Sequence, residues 1–349
     1  MEVKVLGSKL VKPAYNAGAA PAPSTEYIPL SIFDKVTFNM QMAIIYAFAA
    51  PAPSTAAIEN GLATVLAQYR AFAGQLGEAP DGTPSFILNV GLPPVHHHKD
   101  LFKPRSSPRV EHDHRNREYY LPSPTDVVGH HGDAADNIVI HKAHFSKDFI
   151  AGLRVKASEG RGRPFSRFET ILAHLWRTMT RARDLSPEET TKIRLSVDGR
   201  HRLGQPAEYF GNMVLWAFPR STVGDLLNRP LKHAAQVIHD EVAKVDGAYF
   251  QSFVDFASSG AAEKEGLARS AVCKDAQCPD VEVDSWLTFP FYELDFGTGS
   301  PSYFMPAYFP TEGMLFLVPS NFGDGSVDAF VPLFQENLQA FKECCYSME

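Results

Sequence analysis

Histidine has an ordinary pKa close to neutrality, so a histidine spaced to meet a carboxylate is the first candidate for a general base. The spacing His-x-x-x-Asp occurs twice, from His96 to Asp100 in "HHHKD" and from His144 to Asp148 in "HFSKD". Each pair has a plainer reading. Two prolines precede His96, so His96 reads as part of a solvated loop. Ser146 fits a helix N-cap with Asp148 in the first turn, where a carboxylate meets the favourable end of the helix dipole. Adjacent histidines such as His96, His97 and His98 do not converge on one ion from a strand or helix, so no metal site is expected there. His130, His131 and Asp133 of "GHHGD" read as a loop in the same way.

Two other stretches hold candidate chemistry. In "YELDFGTGSP" (292–301), Asp295 precedes two glycines one residue apart, Gly297 and Gly299. Glycine adopts positive φ without steric cost, so this reads as a tight turn with a carboxylate that backbone donors can satisfy. "VDGRHR" (197–202) places Asp198 beside Arg200 and Arg202, either a salt-bridged surface or a docking and phosphate contact. "GDGSVD" (323–328) lacks the spacing of a calcium or phosphate loop and reads as a turn and helix cap. No Gly-x-Ser-x-Gly elbow is present, which disfavours a serine hydrolase.

The elements that must position these residues follow from periodicity. "FNMQMAIIYAF" (38–48) suits a buried strand, and 56–76 carries Ile58, Leu62, Val65, Leu66, Tyr69, Phe72 and Leu76 at helical spacing, with Ser54 or Thr55 as cap and Gly77 as stop. "SFILNV" (85–90) is the next strand. Residues 91–124 hold six prolines and little periodicity, and read as a long crossover. "NIVIHKAHF" (137–145) alternates as a strand, and the helix after Ser146 carries Phe149, Ile150 and Leu153. Ser166 and Glu169 stand in capping-box register ahead of a helix over 166–183. Strands are expected at 193–200 and 209–219, a long helix at 222–246, aromatic-rich strands within 281–320, and an amphipathic helix over 326–343. Strands and helices are thus interleaved, which argues for a layered α/β or α+β chain with two sheets.

Composition sets outer bounds. The chain has 349 residues, a formal net charge of −7 and 44% hydrophobic residues. Mild acidity gives no reason to expect nucleic acid or an anionic membrane as partner. No run approaches the roughly 20 apolar residues of a membrane span, and residues 1–16 have no signal-like apolar core. Cys273, Cys278, Cys344 and Cys345 make a poor disulfide framework, so reduced thiols in the cytosol are expected.

Several segments together resemble the plant BAHD family of acyl-CoA-dependent acyltransferases. They are "LVKPA" with "YIPLSIFDKV" near the start, "ILAHLWRTMTRAR" (171–183), "VDGRHRL" (197–203), "YFGN" (209–212) and "DSWLTFPFYELDFGTGSPSYFMPAY" (284–308). The wording from residue 323 onward is most similar to cereal members that join hydroxycinnamoyl-CoA to agmatine, putrescine or tryptamine. The resemblance implies an α/β fold of two chloramphenicol-acetyltransferase-like domains with a channel between them. It implies acyl-CoA as co-substrate, an amine acceptor, no bound cofactor, no metal and a monomeric, cytoplasmic protein.

The same resemblance assigns the base to a His-x-x-x-Asp-Gly motif at the domain interface, and that motif is absent here. Val90 runs straight into Gly91 where the family carries a block with the motif, so the expected N-terminal domain (1–124, with its crossover at 91–124) is truncated ahead of a C-terminal domain at 125–349. His96 is then the substitute base to test. Asp295, Gly297 and Gly299 match a family loop whose aspartate ties down a neighbouring segment, usually through an arginine. Its customary tryptophan is Thr298 here, and Thr288 stands where an arginine is common. Asp198, Arg200, Tyr209, Gly211 and Asn212 are expected motif residues. A sheet missing central strands exposes edges and apolar surface, so poor solubility is expected. The alternative reading is a non-catalytic remnant that binds CoA or a full-length partner.

Overall fold

The structure is a computed structural model that describes residues 9–15, 25–36, 43–88, 120–121, 137–206, 209, 211–264, 268–269, 277–307 and 311–348. His96, Asp100, the "GHHGD" stretch and all of the expected crossover except residues 120–121 lie outside the described residues. Its centre is a seven-stranded mixed sheet built from β6 (Ile138–Phe145), β7 (Thr190–Asp198), β8 (Val214–Ala217), β9 (Arg220–Thr222), β11 (Val281–Ser285), β13 (Met314–Pro319) and β14 (Val327–Phe334). The order is β6-β14-β13-β11-β7-β8, with β9 paired to β7. The central neighbours β13, β11 and β7 run parallel and the outer pairs antiparallel.

Alternation decides which face is covered. Along β7, Ile193, Leu195 and Val197 are buried and Lys192, Arg194, Ser196 and Asp198 point to the other side. The apolar face packs on α3 (Lys147–Ala157), α4 (Arg167–Ala182), α6 (Leu231–Lys244) and α9 (Leu338–Cys344). Helix α4 is the hub. Ser166 accepts from the Glu169 amide, and the Glu169 carboxylate accepts from the Ser166 amide at 2.7 Å, so the capping box forms as its sequence requires. Trp176 is fully buried, with its indole N–H donating to Thr191 Oγ1 at 3.1 Å.

The N-terminal part forms smaller units. An antiparallel sheet joins β1 (Glu26–Pro29), β4 (Pro84–Leu88) and β3 (Gln75–Glu78) in the order β1-β4-β3. Helix α2 (Thr55–Gln68) follows Ser54 as N-cap and leaves Ile58, Leu62 and Val65 exposed. A two-stranded ribbon pairs β2 (Ile44–Ala47) with β12 (Tyr303–Pro306), tying the first part of the chain to the last. Residues 120–121 (β5) pair with residues 268–269 (β10).

Four expectations need correction. The 38–48 stretch is not a buried strand: only its 44–47 portion is one among the described residues, and Ile44 and Ile45 are exposed, because the ribbon has a single neighbour strand. The 56–76 helix stops at Gln68, since residues 75–78 gain more by pairing with β4 than by extending the helix. The 222–246 helix is two, α5 (Val223–Asn228) and α6, separated at Arg229 and Pro230, where proline disrupts helix continuation. The first half of the 326–343 helix is strand, Val327–Phe334. Its "VDAFVPLF" run is buried on both faces between β13 and β6, and a 3-10 turn at 335–337 leads into the α-helix at 338–344. Among the helices that the sequence does not announce is α7 (Gly247–Ser258), whose start is marked by Asp246 accepting from the Tyr249 amide.

Candidate functional site

The loop after β7 carries the Asp198, Arg200, Tyr209, Gly211 and Asn212 candidates, and the structure brings them together. Asp198 Oδ1 accepts from the Arg200 amide at 3.0 Å and its guanidinium at 3.1 Å. Arg200 also donates to the Gly211 carbonyl at 2.8 Å and lies over the Tyr209 ring. Asn212 donates through its backbone at 3.2 Å and its side chain at 2.8 Å to Asp34 Oδ1, while Asp34 Oδ2 accepts from Ser31. Asp34 lies on α1 (Ile32–Val36), next to fully buried Phe33, which stacks on Phe253. The early "SIFDKV" segment is thereby fastened to the "YFGN" loop. Asp34→Ala removes these bonds at an exposed Asn212 whose donors water can satisfy, so a loss of about 0.5–1.5 kcal/mol is expected in urea unfolding, with faster proteolysis near residue 30.

The Asp295 turn has its own logic. Oδ1 accepts from the backbone N–H groups of Gly297 (2.7 Å), Thr298 (3.1 Å) and Gly299 (2.9 Å). These bonds hold the Asp295 carboxyl below its usual range. Gly297 and Gly299 take φ of 92° and 99°, so the turn needs both glycines. No arginine bonds Asp295 among the described residues. Phe296 lies close over Gly61 of α2 and edge-on to Phe48, so the turn sits against the N-terminal part. A base at this turn would be poor, because a carboxylate already serving three donors is a weak proton acceptor.

The polar face of the large sheet holds a group that motif reasoning missed. Glu282 and Asp284 alternate with buried Val281 and Val283 on β11. Arg194 on β7 donates to Glu282 at 3.1 Å and lies over the Trp216 ring. Ser196 donates to Asp284 at 3.2 Å. Burial raises the Asp284 pKa, with Ser196 and Arg194 acting against it, and among the described residues no ion pair forms on Asp284. With the Arg194 charge acting on it and no ion pair among the described residues, this partly buried carboxylate can accept an ammonium group. The readable signal was two carboxylates at period two inside an otherwise apolar strand.

His144 does not meet Asp148, because Ser146 caps α3 as expected and accepts from the Phe149 amide. Its Nδ1 instead lies 2.7 Å from Asp328 on β14. No cluster of residues suited to hold a metal ion exists among the described residues. No helix among them is long and apolar enough to cross a membrane. Cys278, Cys344 and Cys345 are free thiols, and burial pushes Cys345 up to about 11.

Comparison with known proteins gives these features a context. The model of the Transferase family matches residues 88–348. Putrescine hydroxycinnamoyltransferase 3 of Oryza sativa subsp. japonica is 65% identical, with 100% of each chain covered. That alignment runs over 437 positions, 88 more than the 349 residues present here. Agmatine coumaroyltransferase-1 of Hordeum vulgare is 39% identical, again with 100% of each covered. Among solved structures, that of apo F. graminearum TRI101 aligns at a TM-score of 0.65 and 14% identity over 92% of this chain and 99% of that one, a likeness of fold. The chain belongs to the Transferase family, the BAHD acyl-CoA-dependent acyltransferases.

Proposed function

We propose that this protein transfers a hydroxycinnamoyl group from its CoA thioester to an aliphatic diamine of the putrescine class, in the cytosol and as a monomer. The observation that carries the acceptor is the Asp284 carboxylate on the polar sheet face, with burial raising its pKa and no described ion pair on it. The relative that is 65% identical is named for putrescine, a diamine. One ammonium seated at Asp284 would stay charged and relieve the cost of burying that carboxylate, leaving the other nitrogen to attack. Glu282 already has Arg194 as partner and serves to hold the strand face in register.

The reaction forms an amide bond and releases CoA as a thiol. The sequence has no His-x-x-x-Asp-Gly, and we take the 88 unmatched alignment positions to include it, so that the first of two acyltransferase domains is shortened. His96 could serve in its place only if the crossover brings it to the channel. We favour the simpler reading, in which free amine attacks without a histidine base and turnover is slow. In this reading Asp295, Gly297 and Gly299 shape a wall of the channel, and Asp198, Arg200, Tyr209, Gly211 and Asn212 fix the neighbouring loop.

Asp284→Asn is the test of the acceptor site. A hydrogen bond to a charged group is worth about 1.5–3 kcal/mol, so kcat/KM for putrescine should fall roughly 10- to 100-fold. Butylamine, which lacks the second nitrogen, should show no such loss. An equal loss for both amines would overturn the assignment of Asp284 to the distal ammonium.

A further inference from the structure

The far end of the same sheet face carries a second group of ionisable side chains that the acyl-transfer reading leaves unused. Paired strands β6 and β14 set His144 directly opposite Asp328. His144 Nδ1 is 2.7 Å from Asp328 Oδ1, and Lys142 Nζ is 2.9 Å from Oδ2. The Asp328 side chain is 4% exposed and that of His144 40%. A carboxylate partner at Nδ1 favours the proton there, which puts the lone pair on Nε2, and among the described residues Nε2 makes no hydrogen bond. This is the arrangement of an oriented base, with the orienting acid supplied by a different strand.

Two aromatic side chains lie at His144, one against the imidazole and the other at the backbone amide, with its ring packed on Phe145 and Phe149. Phe322 is 69% exposed with its ring centroid 5.6 Å from that of His144. Tyr346 is 51% exposed, and its hydroxyl accepts from the His144 amide at 3.2 Å. Large aromatics left this open beside a fixed base suit a flat aromatic acyl group. The site is separate from Asp284. Three strand spacings divide β6 from β11, about 14 Å, and Trp286, Phe304, Phe316 and Phe330 fill the face between them.

We propose that His144 and Asp328 form a second, general-base site that cleaves aromatic acyl esters and thioesters with water. His144 Nε2 takes a proton from water as the water oxygen bonds to the acyl carbon. The C–O or C–S bond then breaks with its electron pair on the leaving phenolate or thiolate. The imidazolium returns its proton to that group or to solvent, so the products are a carboxylic acid and a phenol or thiol, and the histidine is regenerated.

The test uses the full chain with 4-nitrophenyl cinnamate and no amine, following nitrophenolate release. Wild type should exceed an equal concentration of free imidazole. His144→Gln should lose at least about tenfold, below the usual 10²–10⁴ span of a positioned base, with its melting temperature unchanged. Phe322→Ala, at an exposed position that folding does not need, should raise KM with kcat kept. Asp284→Asn should leave this hydrolysis intact, which separates it from the amine site. Wild type no faster than imidazole overturns the proposal. So does full activity in His144→Gln with a lowered melting temperature, which would make the pair only an ion-pair lock on an edge strand. Should His144→Gln fail to fold, an unchanged KM in Phe322→Ala overturns it.

Discussion

Glu312→Ala is expected to cost about 3–5 kcal/mol, a large share of the roughly 5–15 kcal/mol that stabilises an ordinary domain. The Glu312 side chain is 0% exposed and that of Arg183 1%. Arg183 donates through Nε at 2.9 Å and Nη2 at 2.7 Å to Glu312 Oε1, and through Nη1 to the carbonyls of Pro279 and Asp280. Glu312 Oε2 accepts from the Cys278 amide at 3.2 Å. Removing the carboxylate leaves a guanidinium buried without its counter-charge, and the alanine cannot reach the Cys278 amide. The network also fixes the turn that feeds β11, so Asp284 would be displaced along with it. Chemical unfolding of Glu312→Ala checks the magnitude. A loss below about 1 kcal/mol would mean that water reaches Arg183 and that the pair does not anchor the turn.

The second large effect is on the pH dependence of amine transfer. An alkyl amine resembles lysine, with a pKa near 10.4, so below that value its neutral fraction rises about tenfold per pH unit. If free amine attacks unaided, kcat/KM for putrescine should climb about 100-fold from pH 7 to pH 9 with a logarithmic slope near one. A histidine that accepts the proton from a bound ammonium would act differently. Its own deprotonation is complete soon above neutrality, so the rate would level off there. A plateau above about pH 7 would therefore restore a histidine to the mechanism, and His96→Ala would then show whether it is that one.

Much of the large sheet and its helices was legible in the sequence because its signals are local. Ser146 and Ser166 cap their helices as their spacing with the following residues requires. β6 alternates as it reads, with Ala143 and Phe145 inward. Residues 326–343 misled because "VDAFVPLFQENLQAF" offers apolar residues at both periods. Only the long-range pairing of β14 with both β13 and β6 decides for strand, and no window of sequence contains it. The break of the 222–246 helix is legible in Pro230, which lacks the N–H that continuation of the helix would need.

The candidate site was legible in part for the same reason. Asp295 with its two glycines forms a turn whose every bond lies within five residues. The Asp34–Asn212 clasp spans 178 positions, and the pairing of Arg194 with Glu282 spans 88. Such partners are set by strand order, so the sequence shows the residues without showing that they meet. Asp284 was read only as the start of a signature block, and its role emerges from the neighbouring β7 face and its burial.

The most direct measurement is thiol release from p-coumaroyl-CoA by purified, soluble protein, with and without putrescine, beside a full-length relative as a positive control. The account predicts release that requires putrescine, gives coumaroylputrescine by mass, and is roughly 10- to 100-fold weaker in Asp284→Asn. Soluble protein that releases no more thiol with putrescine than without it, while the relative turns over alongside, would contradict amine acylation by this chain and leave only its membership of the family.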